Sequence, residues 1–254
     1  MKKVKILFSQ NPPVDFEKSP YAKLVKDYNV SVDFYKFFQI NELPVSEFRK
    51  SKISILDYTT IIMTSKNAID HFFRIVKEMN INLPISMNYF CSNAATAQYL
   101  QKYIRYRQRR IFFPKDGKIE KLVAAIEKHS QDKFLFPLAI DSSINQLVGL
   151  LDEKKINYTK AEVFEISFED VSKIIDVYSY DMLVFFSPYG IQTLVNSYPD
   201  FKQGEIIIGA LGSGVVATAQ EVGLNVQIIA PTEKHPSIFS AIDDYLQKNN
   251  ARKR

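Results

Sequence analysis

Tyr58-Thr-Thr-Ile-Ile-Met-Thr-Ser-Lys-Asn-Ala-Ile69 returns 122 residues later as Tyr180-Asp-Met-Leu-Val-Phe-Phe-Ser-Pro-Tyr-Gly-Ile191. In both copies a short apolar run ends in a serine and passes into a segment with helical spacing. Such a run is a buried strand, and serine is a preferred helix N-cap. Pro188 strengthens the second copy, because proline suits the first helical position. A strand, a serine and a helix used twice at one offset predict two similar α/β lobes. Ala95-Thr-Ala-Gln98 and Ala217-Thr-Ala-Gln220 echo each other at the same offset, a match short enough for chance.

The rhythm extends in both directions. Apolar runs at Val4–Phe8, Thr59–Met63, Asn88–Cys91, Arg110–Phe113, Phe134–Phe136, Met182–Phe186, Glu205–Ile208 and Val226–Ile229 read as strands. Between them lie stripes such as Ile69, Phe72, Phe73, Val76 and Ile238, Phe239, Ile242, Leu246, which are core faces without chemistry. This alternation predicts an α/β fold with mainly parallel sheets flanked by helices. Val30–Ile40 and Asn157–Phe168 depart from it, alternating apolar with polar over a longer stretch. Half-exposed pieces fit poorly into a helix-covered sheet, so they are expected as a two-stranded linker between the lobes. The expected division is 1–36 with 169–254 in lobe one, 41–156 in lobe two, and 30–40 and 157–168 as linker strands.

With 254 residues, 46% hydrophobic and 24% charged, the chain has a globular composition, which excludes disordered and fibrous classes. The single cysteine, Cys91, excludes an intramolecular disulfide and a cysteine-rich zinc site, and is expected as a small buried hydrophobe. The apolar run Ile6–Phe8 is too short for a signal-peptide core. The longest uncharged stretch, Met79–Gln101, has 23 residues but is broken by four asparagines and a proline, and the glycine-containing Ile206–Gln220 has only 15, where a bilayer needs about 20 predominantly apolar residues. A cytoplasmic monomer without a membrane span is expected. Net charge is +5, yet Gln101–Lys121 alone holds eight basic and two acidic residues. That local patch suits a restricted anionic partner better than a long polyanion. Tyr103–Arg110 mixes aromatic and basic residues as nucleic-acid surfaces do. Nothing continues the patch, a solvated helix end accounts for it, and no nucleic-acid partner is expected.

In open α/β sheets ligands bind beyond the carboxyl ends of the strands, where helix starts present free N–H groups and partial positive charge. Ser187 stands there in one lobe and Ser65, preceded by Thr64, in the other. Each either caps its helix or also serves an anionic ligand. Gly209-Ala-Leu-Gly212-Ser-Gly214 lies between a strand and a helix. It reads as an anion-binding turn or simply a tight one, and its spacing is not that of a dinucleotide fingerprint. His71, His129 and His235 lack metal-ligand spacing and are expected as ordinary surface or helix-end residues. No nucleophile elbow is present, so hydrolase and metalloenzyme readings have no support.

Taken together, these pieces resemble uroporphyrinogen-III synthases, in the form found in Bacteroidetes-type bacteria. The carriers are Tyr58 to Phe72, Tyr99-Leu-Gln-Lys-Tyr-Ile104 with Ile111-Phe-Phe113, and Asp181 to Gly190. Pro199-Asp-Phe-Lys-Gln-Gly204, Ile208-Gly209, Ala230-Pro-Thr232 and Pro236-Ser237 complete the order. The resemblance implies two lobes on a two-stranded linker, with the N-terminal strand in the C-terminal lobe. It implies cyclisation of linear hydroxymethylbilane to uroporphyrinogen III, with inversion of the last pyrrole and loss of water, and no cofactor or metal. The implied substrate-binding residues are Thr64, Ser65, Lys66, Thr96, Ser187, Tyr189, Gly212, Ser213 and Gly214, with Ser187 also catalytic. Two positions depart from the family. Its linker tyrosine, which aids departure of the hydroxyl, is here Phe164, unable to donate a proton. Its glycine-x-threonine-threonine turn is here Gly212-Ser-Gly-Val215. Tyr158, Tyr189 or a water is expected to replace the missing acid. The alternative reading is a paralogue that binds tetrapyrroles without turnover.

Overall fold

The structure, a computed structural model, describes residues 3–140 and 146–249. Strands β1 (Val4–Phe8), β2 (Val30–Phe34), β3 (Phe38–Glu42), β4 (Thr60–Met63), β5 (Asn88–Cys91), β6 (Ile111–Phe112), β7 (Phe134–Ala139), β8 (Tyr158–Phe168), β9 (Met182–Phe185), β10 (Ile207–Leu211) and β11 (Val226–Ala230) alternate with helices. The helices are α1 (Pro20–Asp27), α2 (Val45–Lys50), α3 (Lys66–Glu78), α4 (Ala94–Tyr99), α5 (Ile119–Glu127), α6 (Gln146–Glu153), α7 (Pro188–Ser197), α8 (Ser213–Glu221) and α9 (Ile238–Lys248). Among the described residues no helix is long and apolar enough to cross a membrane.

The chain divides into two compact units, Met1–Gln39 with Ser167–Arg254, and Ile40–Ile166. The first unit is built on a sheet in the order β11-β10-β9-β1-β2, and the second on β3-β8-β7-β4-β5-β6. Both sheets are mainly parallel. Aligned on the repeated strands β9 and β4, the orders 11-10-9-1-2 and 6-5-4-7-8 correspond one for one. The first unit is thus a circular permutation of the second, its last two positions supplied by the chain's first two strands.

Why the strands form is plain from their faces. Ile61 and Met63 of β4, Tyr89 and Cys91 of β5 and Leu135 of β7 pack with Ile69, Phe72, Phe73 and Val76 of α3. The alternate residues Ile62, Phe90, Phe134 and Phe136 pack with α5 and α6 on the opposite face. A strand covered on both faces must be apolar at every position, which is why these runs do not alternate. In the first unit Ile6, Phe8, Met182 and Val184 pack with Tyr21 and Leu24 of α1 and with Ile238 and Ile242 of α9.

The two segments expected as linker strands are part of the sheets over most of their length. β2 pairs in parallel with β1 from Val4↔Val30 to Phe8↔Phe34. β8 pairs with β7 from Phe134↔Tyr158 to Ala139↔Phe164. Alternation of apolar and polar residues marks half-exposure, and the strands at or next to a sheet edge share it with free connectors. Two strands also run three residues past their expected ends. β10 continues through Gly209, where a Cβ would stand 3.3 Å from Val184, so this glycine thins a strand rather than breaking it. β7 continues through Pro137; its pairing with β4 is confined to Phe134 and Leu135, which relieves the proline of a second ladder.

The repeat is structural in one part and accidental in another. β4 and β9, the short turns Ile55–Asp57 and Val177–Ser179, and the caps Ser65 and Ser187 all keep the 122-residue offset. The caps of α4 and α8, Asn93 and Gly212, are 119 apart. The two Ala-Thr-Ala-Gln tetrapeptides therefore lie about one helical turn out of register, and their identity is chance.

Candidate active site

In an open α/β sheet the ligand crevice opens where the chain order of the strands reverses, beyond their carboxyl ends. In the first unit that reversal falls between β1 and β9, and in the second between β4 and β7. Ser187 follows β9 and Ser65 follows β4, so each unit has a serine at its switch point. The strand order carries this placement, and the residues alone do not.

At the first unit's switch point Ser187 caps α7, its Oγ accepting from the Tyr189 N–H at 3.3 Å, with Pro188 at the first helical position. The neighbouring start is that of α8, capped by Gly212 at φ 99° and ψ 148° with no side-chain hydrogen bond. The first N–H groups of a helix have no acceptor within it. No side chain at Gly212 takes them, so Ser213 and Gly214 offer backbone donors at this edge. α7 and α8 pack together: a Cβ on Gly214 would lie 3.8 Å from Pro188 Cγ. The structure thus brings Ser187, Tyr189, Gly212, Ser213 and Gly214 to one edge of one sheet. The Tyr189 ring lies 5.6 Å from Phe38 and 6.3 Å from Phe168.

At the second unit's switch point the Ser65 Oγ accepts from the Ala68 N–H at 3.1 Å and caps α3, with Thr64 before it and the exposed Lys66 after it. The Lys66 ammonium sits 5.3 Å over the Tyr99 ring. Tyr99 in turn donates to Asp70, which also accepts from Tyr103 and from Lys102 at 3.0 Å. Burial pushes the Asp70 carboxyl upward, but these hydrogen bonds prevail and hold it below the usual carboxylate range. Thr96 is turned inward: it is 5% exposed, its Oγ1 lies 3.2 Å from Ser92 Oγ, and Asn93 rather than Thr96 caps α4.

Three residues stand elsewhere than expected. Phe164 is in the core of the second unit, 5% exposed, and brings no functional group to the surface. Its ring stacks on His71 at 5.2 Å. His71 is therefore not a helix-end residue but a half-buried one in mid-α3, its Nδ1 enclosed without a hydrogen-bond partner. Burial, and then the Arg74 charge, push its pKa below the ordinary value. Tyr158 opens β8 at the amino edge of the sheet, where its hydroxyl donates to Asp152 at 2.7 Å. It stands at the wrong end of the strand to replace a missing acid.

Sequence reasoning also passed over Ser9, which directly follows β1 at the first unit's switch point. It is 5% exposed with its Oγ unpartnered, 3.3 Å from where a Gly190 Cβ would stand. The signal was a hydroxyl residue directly after a strand, the same one that marked Ser65 and Ser187.

The family model described as Uroporphyrinogen-III synthase HemD matches residues 19–240. None of the curated proteins matches the chain. Among solved structures, a mutant uroporphyrinogen III synthase of Thermus thermophilus aligns over 97% of this chain and 99% of its own, with a TM-score of 0.69 and 12% identity. The wild-type Thermus protein in a second crystal form gives 0.54 and 13% over 98% and 100%. The uroporphyrinogen-III synthetase of Helicobacter pylori gives 0.51 and 17% over 96% and 99%. At such identities the structures establish a shared fold, and the family model, which spans most of the sequence, establishes kinship. The chain belongs to the uroporphyrinogen-III synthase family.

Proposed function

We propose that this uroporphyrinogen-III synthase binds the carboxylates of linear hydroxymethylbilane through the helix starts at its two switch points, and that Tyr189 assists the departure of water. The protein is a cyclising lyase of tetrapyrrole synthesis, so its substrate is flexible and carries eight carboxylates. Helix N-termini with hydroxyl caps suit such a ligand, because N–H donors and the positive end of the dipole meet each anion without a counter-charged side chain. The observation that carries the reading is the position of Ser65 and Ser187 directly after the strands at which the order reverses.

In the reaction the pyrrole nitrogen lone pair expels the hydroxymethyl oxygen, which leaves as water on receiving a proton, and an azafulvene cation remains. The last pyrrole attacks this cation through its substituted carbon. The resulting spiro intermediate opens and recloses with that ring inverted, and a proton is lost to restore the pyrrole. No covalent bond to the protein is required. What the chain must supply is orientation and one proton. Tyr189 is the phenol of the expected pair that stands at the carboxyl edge, and Tyr158 stands at the other. The same reading takes Thr64, Ser65, Lys66, Ser187, Gly212, Ser213 and Gly214 as substrate contacts and the protein as a cytoplasmic monomer. Thr96 stays a candidate only by way of Ser92, which shares its hydroxyl.

The test is an assay with freshly made hydroxymethylbilane that resolves the type I and type III isomers. Parent protein is expected to yield type III. Ser187→Ala is expected to shift product toward the spontaneous type I isomer, and Tyr189→Phe to slow turnover about 100-fold, as loss of a general acid does. If the folded protein binds the tetrapyrrole and the product stays type I, the protein does not turn it over. An unchanged isomer ratio in Ser187→Ala removes that residue from the site.

A further inference from the structure

We infer that the second unit carries an oxyanion-binding site on the edge of its sheet opposite the switch point, and that its ligand is a small molecule bearing two or more carboxylate or phosphate groups. Arg105, Tyr106, Arg107, Gln108 and Arg109 line an open cavity of about 750 Å³. It is an open hollow rather than an enclosed cleft, so a ligand there is held by charge and hydrogen bonds rather than by burial. The segment leads into β6, and Arg110 Nη1 donates to Asn88 Oδ1 at 3.0 Å, Asn88 being the first residue of β5. The cavity is thus at the amino edge, about 13 Å of strand from the carboxyl edge where α3 and α4 begin.

Much of the local charge left without an ion pair borders this cavity, Lys115 and Lys118 being the other cations of the segment that make none among the described residues. Of the eight basic residues between Gln101 and Lys121, Lys102 is paired with Asp70 at 3.0 Å and Lys121 with Asp116 at 2.6 Å. Arg110 is held by Asn88. Among the described residues, Arg105, Arg107 and Arg109 make no ion pair. Three arginines lining one open hollow suit an anion with several oxygens, since a guanidinium fork holds a carboxylate or phosphate through two parallel hydrogen bonds. A small ligand fits better than a nucleic acid. Outside Gln101–Lys121 the chain has a net charge of −1, so no basic track continues for a strand to follow.

The experiment is calorimetric titration of the full chain at about 20 mM salt with inorganic pyrophosphate and, separately, citrate. One-to-one binding of either is expected, at least tenfold weaker in R105Q/R107Q/R109Q and unchanged in Ser187→Ala. Pyrophosphate alone binding identifies a phosphate-type ligand, citrate alone a polycarboxylate, and both the shared oxyanion chemistry. If the triple variant melts well below the parent, R105Q/R109Q, which alters only exposed side chains, is read for the same loss. Neither probe binding overturns the inference. So does binding that survives loss of the arginines or disappears in Ser187→Ala, because the anion then sits at the carboxyl edge. A short single-stranded oligonucleotide that binds through these arginines where both probes fail replaces the small ligand with nucleic acid.

Discussion

His71 and Phe164 form one stacked pair, and each foretells a measurement. His71 is held neutral by burial and by the Arg74 charge, so its folded pKa lies below the unfolded value near 6.5. The unfolded chain then binds the extra proton first, and stability falls as pH drops through the unfolded pKa toward the folded one. Denaturation midpoints between about pH 7.5 and 5 are expected to fall less steeply in His71→Gln than in the parent chain. Equal slopes would show that His71 protonates freely in the fold. Phe164→Tyr restores the family's residue, yet it puts a hydroxyl into a core site that is 5% exposed. A cost of about 1–3 kcal/mol and no gain in turnover are expected. A faster enzyme with unchanged stability would show that this position opens toward substrate. The identity of Phe164 was legible in the sequence, but its surroundings were not, because β8 reads as half-exposed along its length and only its pairing with β7 shows which residues turn inward.

Among the elements, helix starts were the most legible. Ser65 and Ser187 were recognisable as caps because each stands between an apolar run and a segment with helical spacing, and the structure gives each that use. The start of α8 was legible only as a glycine-rich turn, and which glycine bears the strain depends on where β10 ends. Gly212 does: at φ 99° and ψ 148° it occupies a region nearly closed to other residues, while Gly209 only thins a strand. Gly212→Ala is expected to cost about 1–3 kcal/mol although nothing lies within 4 Å of the added Cβ. Urea midpoints check this, and Gly214→Ala, which meets only Pro188 Cγ at 3.8 Å, is the control. Equal midpoints for the two variants would mean that the turn relaxes. The linker strands were the least legible elements, because edge pairing and isolation leave the same alternating pattern.

At the scale of the whole molecule, the repeat foretold two α/β units but not that one is a circular permutation of the other, since permutation changes strand order without changing any local pattern. The second unit is continuous in the chain and has packed clusters on both faces of its sheet. A fragment of residues 37–168, which keeps β3 and β8 whole, is expected to fold alone with a cooperative urea transition. A fragment that stays unfolded would show that its stability depends on the rest of the chain. The first unit has no such independence during synthesis. Ile6, Leu7 and Phe8, each no more than 2% exposed in the finished fold, leave the ribosome long before β9 exists to flank them. At about 5–20 residues per second the wait lasts roughly 10 to 35 seconds. Through that interval the second unit is made while the first stays sticky and half-built, and chaperones that hold exposed apolar segments are expected to engage the nascent chain there.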